Sequence, residues 1–417
     1  MRPLEKEIAI EIIQSVGGSG IPPKYGEHYF SVGIEEYTKA IQDEYLNSVL
    51  KNSSAVKMIV GAYGGGKTHF LYEVRDVSWN NNFLVSYVSL SSEATPFHKL
   101  ERVYAAIADN ITRPLTIEEI KSGEEIGIGS LIKYWYGVRQ EDLQKQGLSD
   151  EEIRKQILGM LDNFGPYSNI NFTRAIKGAI KALVEENSND FDNIVQWLTG
   201  QGYDRKIHSK YGILQKIDKS TANQMIRSLL KWIRSPEMGY NGLVILFDEA
   251  ENVPTMSSKQ ADTLAQNLRE FIDQSKQEVQ GMLILYAVPN EDFLNRRGHT
   301  YEALKQRFGT YFSLQAPTGV KIDLEKILSE EPEKFLIQVG KKLAAVYGVA
   351  YDLTMNEEII NDSIETIAKY AYEQRYGDIG YKRLFAQLAI TYFHFYRNGN
   401  KDKVNESILE ELRKEVN

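Results

Sequence analysis

Residues 58–71 read MIVGAYGGGKTHFL: an apolar run, three consecutive glycines, then Lys67 and Thr68 opening a helical pattern. No other stretch limits the fold as much. Side chains at 64–66 would obstruct an oxyanion approaching the backbone N–H groups or forbid the dihedrals that such a loop needs. A helix that starts directly after the loop offers its positive end to the same anion. Gly61, Gly66, Lys67 and Thr68 occupy the fixed positions of G-x-x-x-x-G-K-[ST], and a strand precedes them, as that mechanism requires. The expected ligand is ATP, with Gly61, Gly64, Gly65, Gly66, Lys67, Thr68 and His69 as the binding set. Lys67 is expected to reach the β- and γ-phosphates, and the Thr68 hydroxyl to bind Mg2+.

The stretch LVILFDEAE, residues 243–251, supplies a partner for that loop. Five apolar residues end in Asp248 and Glu249, which places two acids at the carboxyl end of a buried strand. Ligands bind there in open α/β sheets. Asp248 is expected to hold Mg2+ and Glu249 to polarise an attacking water as general base.

Four apolar runs, 55–60, 83–90, 243–247 and 282–288, read as strands covered on both faces, and 310–314 as a weaker fifth. Helical patterns separate them. The fold class is therefore α/β: a parallel P-loop sheet flanked by helices. Between the second and third runs the pattern is helical, with capping-box spacing at Thr116/Glu119 and Ser149/Glu152. Residues 112–218 read as a helical insertion in a core spanning 55–317. Residues 1–54 form a helical segment leading into the core, and 318–417 a C-terminal helical lid domain.

Composition narrows the function classes. The chain has 417 residues, a net charge of −8 and no cysteine, so disulfides, thiolate metal sites and cysteine nucleophiles are excluded. Over 112–218 the 14 Lys and Arg face 16 Asp and Glu, a net of −2, so charge gives no indication of DNA binding. The six histidines show no ligand spacing. MRPLEKEIAIEIIQ is broken by Glu5, Lys6, Glu7 and Glu11 and lacks the apolar stretch of a signal peptide. No apolar run is long enough to span a bilayer. A cytoplasmic protein with no membrane partner is expected.

Three further positions keep two readings each. Asn290 either orients the lytic water or is turn chemistry after Pro289. Arg307 either stabilises charge on a neighbouring subunit's γ-phosphate or complements a helix dipole at the surface. In YGDIGYKRLF, which carries Gly377, Asp378, Lys382 and Arg383, a basic residue either folds over the phosphates or forms a surface pair.

With these elements in order, the chain resembles AAA+ ATPases of the Orc/Cdc6-like type. That resemblance implies strand order 5-1-4-3-2, Asn290 as sensor 1, Arg307 as arginine finger and Arg383 as sensor 2. Orc/Cdc6 proteins continue into a winged helix; too few residues follow here for one, so an origin-type DNA-binding loader is the less favoured alternative. A second resemblance rests on YFSVGIEEY, VGAYGGGKTHFL, YVSLSSEATPFHKLE, GILQKIDKSTANQMIRSLLKWIR, LFDEAE, YAVPNEDFL and PTGVKIDLEKI. These stretches, spread over nearly the whole chain, are similar to the ATP-binding family of bacterial BREX phage-defence loci (BrxD-like). That similarity implies antiviral defence beside a helicase and other locus-encoded proteins; together with the loop and the acid pair, the reading is a Mg2+-dependent ATPase acting as motor or switch. Self-association into an oligomer is expected from the Arg307 reading. The rival readings are a scaffold that binds nucleotide without hydrolysis and a P-loop kinase.

Overall fold

The computed structural model describes residues 4–91, 95–249, 258–277, 280–290, 299–328, 331–375 and 380–416. Its centre is a six-stranded sheet: β1 (Ala55–Val60), β2 (Phe83–Ser89), β3 (Ile111–Thr112), β4 (Gly242–Asp248), β5 (Met282–Val288) and β6 (Lys321–Asp323). The spatial order is β3-β2-β4-β5-β1-β6. Only β3 runs antiparallel, paired with β2; the other pairings are parallel. Numbered among themselves, the parallel strands stand 5-1-4-3-2. The fold is mixed α/β and compatible with a P-loop fold.

β4 and β5 are buried at every residue, as their unbroken apolar sequences demand. Ser89 aligns with Asp248, and Val60 with Val288, so the carboxyl ends of β1, β2, β4 and β5 share one rim. The loop 61–66 and the acid pair rise from that rim.

The edge strand differs from the expectation. Residues 310–314 do not form the fifth strand; Tyr311 makes one isolated bridge to Lys321. The chain turns back through Ser313 and Ala316, and Gly319 lies against Tyr311, where a Cβ would stand 2.0 Å from the Tyr311 carbonyl. Residues 320–323 thus take the free edge of β1, beginning with Met58 N–H donating to Val320 O at 3.0 Å. Apolar content marked the right neighbourhood. The tight reversal decided which arm reached the sheet.

Each face of the sheet has its own apolar layer. On one, Met58, Leu84, Ile245 and Phe247 share a continuous core with Ile107, Trp135, Phe172, Trp197 and Trp232. Both capping boxes of the inserted region form. Asn169 caps helix Ile170–Val184, whose Phe172, Ala175, Ile176, Ala179 and Ile180 are buried. On the other face, Val85, Val244, Leu246 and Leu285 pack against Phe70, Leu71 and Val74 of helix Lys67–Asn80.

A third core stands apart from the sheet. Ile8, Ile12, Ile13 and Val16 of helix Lys6–Ser19 pack with Leu343, Ile364, Phe385, Ile390 and Phe393 of helices Pro332–Tyr351, Glu357–Glu373 and Tyr381–Arg397. The first helix, expected to lead into the sheet, completes this C-terminal bundle. Gly17 makes the fit: a Cβ there would lie 2.6 Å from Ile390 Cγ2. Among the described residues no helix is long and apolar enough to cross a membrane.

Candidate nucleotide site

After β1 the chain turns through 61–66 into helix Lys67–Asn80. Gly64 (φ +70°) and Gly66 (φ +95°) take left-handed conformations that other residues rarely adopt. A Cβ on Gly65 would stand 2.8 Å from the Ala62 carbonyl. These dihedrals wrap the loop around the helix N-terminus, where the first-turn N–H groups lack intrahelical partners. Gly61 ends the strand, its N–H donating to Val288 O at 3.2 Å. Lys67 is 7% exposed, and its ammonium donates to the carbonyls of Gly61 (2.9 Å) and Ala62 (3.2 Å). The charge is held at the loop's mouth.

The acids meet that loop directly. Asp248, 2% exposed, accepts at Oδ2 from the Thr68 hydroxyl (2.7 Å) and from the Tyr87 hydroxyl (2.6 Å). Its Oδ1 accepts from Glu249 N–H at 2.8 Å. Glu249 is exposed and left-handed, at φ +58°, a conformation that costs a non-glycine residue energy and collects at functional sites. Its carboxylate accepts from the Ser89 hydroxyl.

The Thr68 hydroxyl and the Asp248 carboxylate form a small, hard oxygen set. Mg2+ is held by one or two such groups together with phosphate oxygens. No group of three His, Cys, Asp or Glu side chains that could hold a metal ion stands among the described residues.

A cavity of about 480 Å3 opens over these residues, within the range of small-ligand sites. Its polar floor is residues 64–69 with Ser89, Asp248 and Glu249. Its apolar half comes from both ends of the chain: Phe30, Val32 and Ile34, then Phe335, Leu336, Val339 and Phe385. His69 lines it, with Nε2 at 2.6 Å from Ser31 Oγ, and Ser31 donates to the Glu73 carboxylate. Burial pushes the imidazole down to about 4, so it is neutral at pH 7. Burial pushes Glu73 up to about 6.

The bundle closes onto the loop. Gly380 packs so tightly that a Cβ would stand 2.4 Å from Tyr63 O. Lys382, its side chain 10% exposed, donates to Gly65 O (3.1 Å) and pairs with Glu325 (3.2 Å). Arg383 instead donates to the Tyr63 hydroxyl at 3.0 Å and lies 4.8 Å over its ring.

The structure thus brings Gly61, Gly64, Gly65, Gly66, Lys67, Thr68, His69, Asp248, Glu249 and Arg383 to one cavity or its mouth. Asn290 is exposed, two residues beyond β5, which lies between β1 and β4. The cavity lining given by the described residues does not include it. Arg307 belongs to helix His299–Phe308, and its side chain lies outside what is described. Gly377 and Asp378 also lie outside the described residues. Sequence reasoning missed Tyr87 and Ser89. Their signal is two polar residues, two apart, ending the strand beside the acid strand. It also named Lys382 only in passing, although that residue contacts the loop backbone.

A family model described as BREX system ATP-binding protein BrxC/D matches residues 4–408, nearly the whole chain. No curated protein and no solved structure matches it.

Proposed function

The chain belongs to the BREX system ATP-binding protein BrxC/D family, and from that premise we propose that it hydrolyses the ATP it binds at the 61–68 loop. ATP binding within a BREX defence system follows from membership; hydrolysis is the step added here. The observation that carries it is the junction in which Thr68 and Asp248 share a hydrogen bond with Glu249 next in the chain. That junction sets a cation ligand pair beside a carboxylate of the general-base type.

In this reading, loop N–H groups and Lys67 hold the β- and γ-phosphates. Bound between Thr68, Asp248 and the phosphates, Mg2+ would neutralise charge that develops on the transferring group. Glu249 takes a proton from water as the water oxygen bonds to the γ-phosphorus. The bond from that phosphorus to the β–γ bridging oxygen breaks, leaving ADP and inorganic phosphate. Lys382 and Arg383 come from the bundle and read whether a γ-phosphate is present. Asn290, two residues beyond the strand that runs between the loop and the acids, orients the water. Arg307 serves a neighbouring subunit's site, which makes activity depend on self-association. Other defence-locus proteins, a helicase among them, receive the conformational output.

Phosphate release and equilibrium ATP binding by the full chain test this reading. Glu249→Gln keeps ATP affinity and loses turnover by about 10²–10⁴, the usual worth of a general base. Unchanged turnover would remove Glu249 from the chemistry. Arg307→Ala keeps affinity and loses most turnover, and mixing it with Lys67→Ala restores part of it by rebuilding composite sites. Turnover per subunit that stays constant on dilution to monomers would contradict the shared site.

A further inference from the structure

At the carboxyl end of β2, Tyr87 and Ser89 stand two residues apart and so face one side of the sheet. That is the side of helix Lys67–Asn80, because Val85 belongs to the apolar layer beneath that helix. The Tyr87 hydroxyl is aimed at Asp248 rather than at solvent.

The acceptor count at Asp248 shows what the tyrosine does. A carboxylate offers about four lone-pair sites. Thr68 and Tyr87 fill the two on Oδ2, at 2.7 and 2.6 Å. Glu249 N–H fills one on Oδ1, at 2.8 Å. Among the described residues no other donor reaches the Asp248 carboxylate, which leaves one site, on Oδ1. Without the Tyr87 hydroxyl, Oδ2 would offer a second lone pair to a cation's hydration shell, and the carboxylate would be held by two contacts instead of three. The Thr68 oxygen keeps its lone pairs for a cation while its O–H donates to Asp248. The three contacts are therefore compatible with a bound ion.

Tyr87 is itself held in place. Its ring packs on Tyr72 with centroids 5.1 Å apart, and the Arg75 guanidinium lies 4.7 Å over the Tyr72 ring. A phenol keeps its proton at neutral pH, so Tyr87 is an O–H donor to Asp248. Packing alone would be served by phenylalanine; the hydroxyl serves Asp248.

We infer that Tyr87 is a positioning residue for the nucleotide-bound Mg2+, fixing Asp248 so that a single Oδ1 lone pair is presented to the cation's ligand shell. The inference rests on the reading that Thr68 and Asp248 hold Mg2+. Groups that orient a metal's ligands are worth about 10–100-fold in metal affinity.

The test is equilibrium binding of a fluorescent ATP analogue to the full chain, titrated with Mg2+ and repeated in EDTA, for wild type and Tyr87→Phe. The Mg2+ midpoint is expected to rise about tenfold in the variant, while affinity in EDTA stays within about twofold. The EDTA arm also reports that the loop is folded. Equal loss of affinity with and without Mg2+ would mean that the tyrosine only packs, and would overturn the inference. So would an unshifted midpoint. A wild type that does not respond to Mg2+ would overturn the cation reading as well, which separates the two failures.

Discussion

Two helical bodies flank the sheet, and they are attached in different ways. The inserted region merges with it: Trp197 and Phe172 lie in the same apolar core as Leu84 and Ile245. The bundle made from the two ends of the chain keeps a core of its own. Where it meets the sheet at the site, Phe335 packs against both cores, and polar and backbone contacts join them: Lys382 on Gly65 O, Lys382 on Glu325 and Gly380 against Tyr63. Shared apolar cores are close-packed and resist sliding. Polar seams, which lose little on exposure to water, are where bodies move. The candidate nucleotide cavity lies on the second kind of boundary.

The strongest way to break this comparison is to remove 112–218. A separable insertion would leave a folded remainder. The shared core predicts instead that the remainder loses its cooperative melt, because one sheet face is stripped. Trp197→Ala should cost about 3–5 kcal/mol and lower the melting of sheet and insertion together. Phe393→Ala should cost a similar amount but act on the bundle, so calorimetry would show it in a different transition. Lys67→Ala leaves both cores intact and should weaken ATP binding by more than about 100-fold, since charge-assisted hydrogen bonds to phosphate are worth about 1.5–3 kcal/mol each. Isothermal titration with a normal melting curve checks both halves.

Smaller effects sharpen the boundary. Gly380→Ala sets a methyl against Tyr63 O and should push the bundle off the loop. ATP affinity is expected to fall about tenfold, on an overpacking cost of about 1–3 kcal/mol. Unchanged affinity would mean that bundle closure does not contribute to binding. The mildest prediction concerns pH. His69 is held down to about 4 from an ordinary 6.5. Below 6.5 the unfolded chain takes a proton that the folded chain refuses, so the contribution of His69 to stability falls as pH drops from 6.5 toward 4. His69→Gln should flatten that slope in melts at pH 7, 6 and 5.

Much of this arrangement was legible in the sequence because it is local. The loop is eight consecutive residues whose glycines have one conformational purpose, and the acids end an unmistakable apolar run. What stayed hidden depends on contacts between distant segments. Tyr87 gains its meaning only when β2 and β4 are neighbours, which no spacing reveals. The first helix looks amphipathic in isolation, but the partner for its apolar face lies more than 300 residues away. The edge strand was placed about ten residues early, because 310–314 is more apolar than 321–323. A glycine against a carbonyl, not hydropathy, settles that edge.

The most direct test of the account measures distances across its two boundaries. The chain has no cysteine, so paired labels can be placed cleanly. Exposed Lys51 beside the sheet, Lys155 in the insertion and Lys369 in the bundle give two pairs for electron–electron resonance in a Glu249→Gln background. With MgATP, the 51–369 distribution should shift and narrow, while the 51–155 distribution stays where it was. A 51–155 distance that moves with nucleotide, or a 51–369 distance that does not, would contradict the claim that ATP acts at the seam between a shared-core body and a separately cored one.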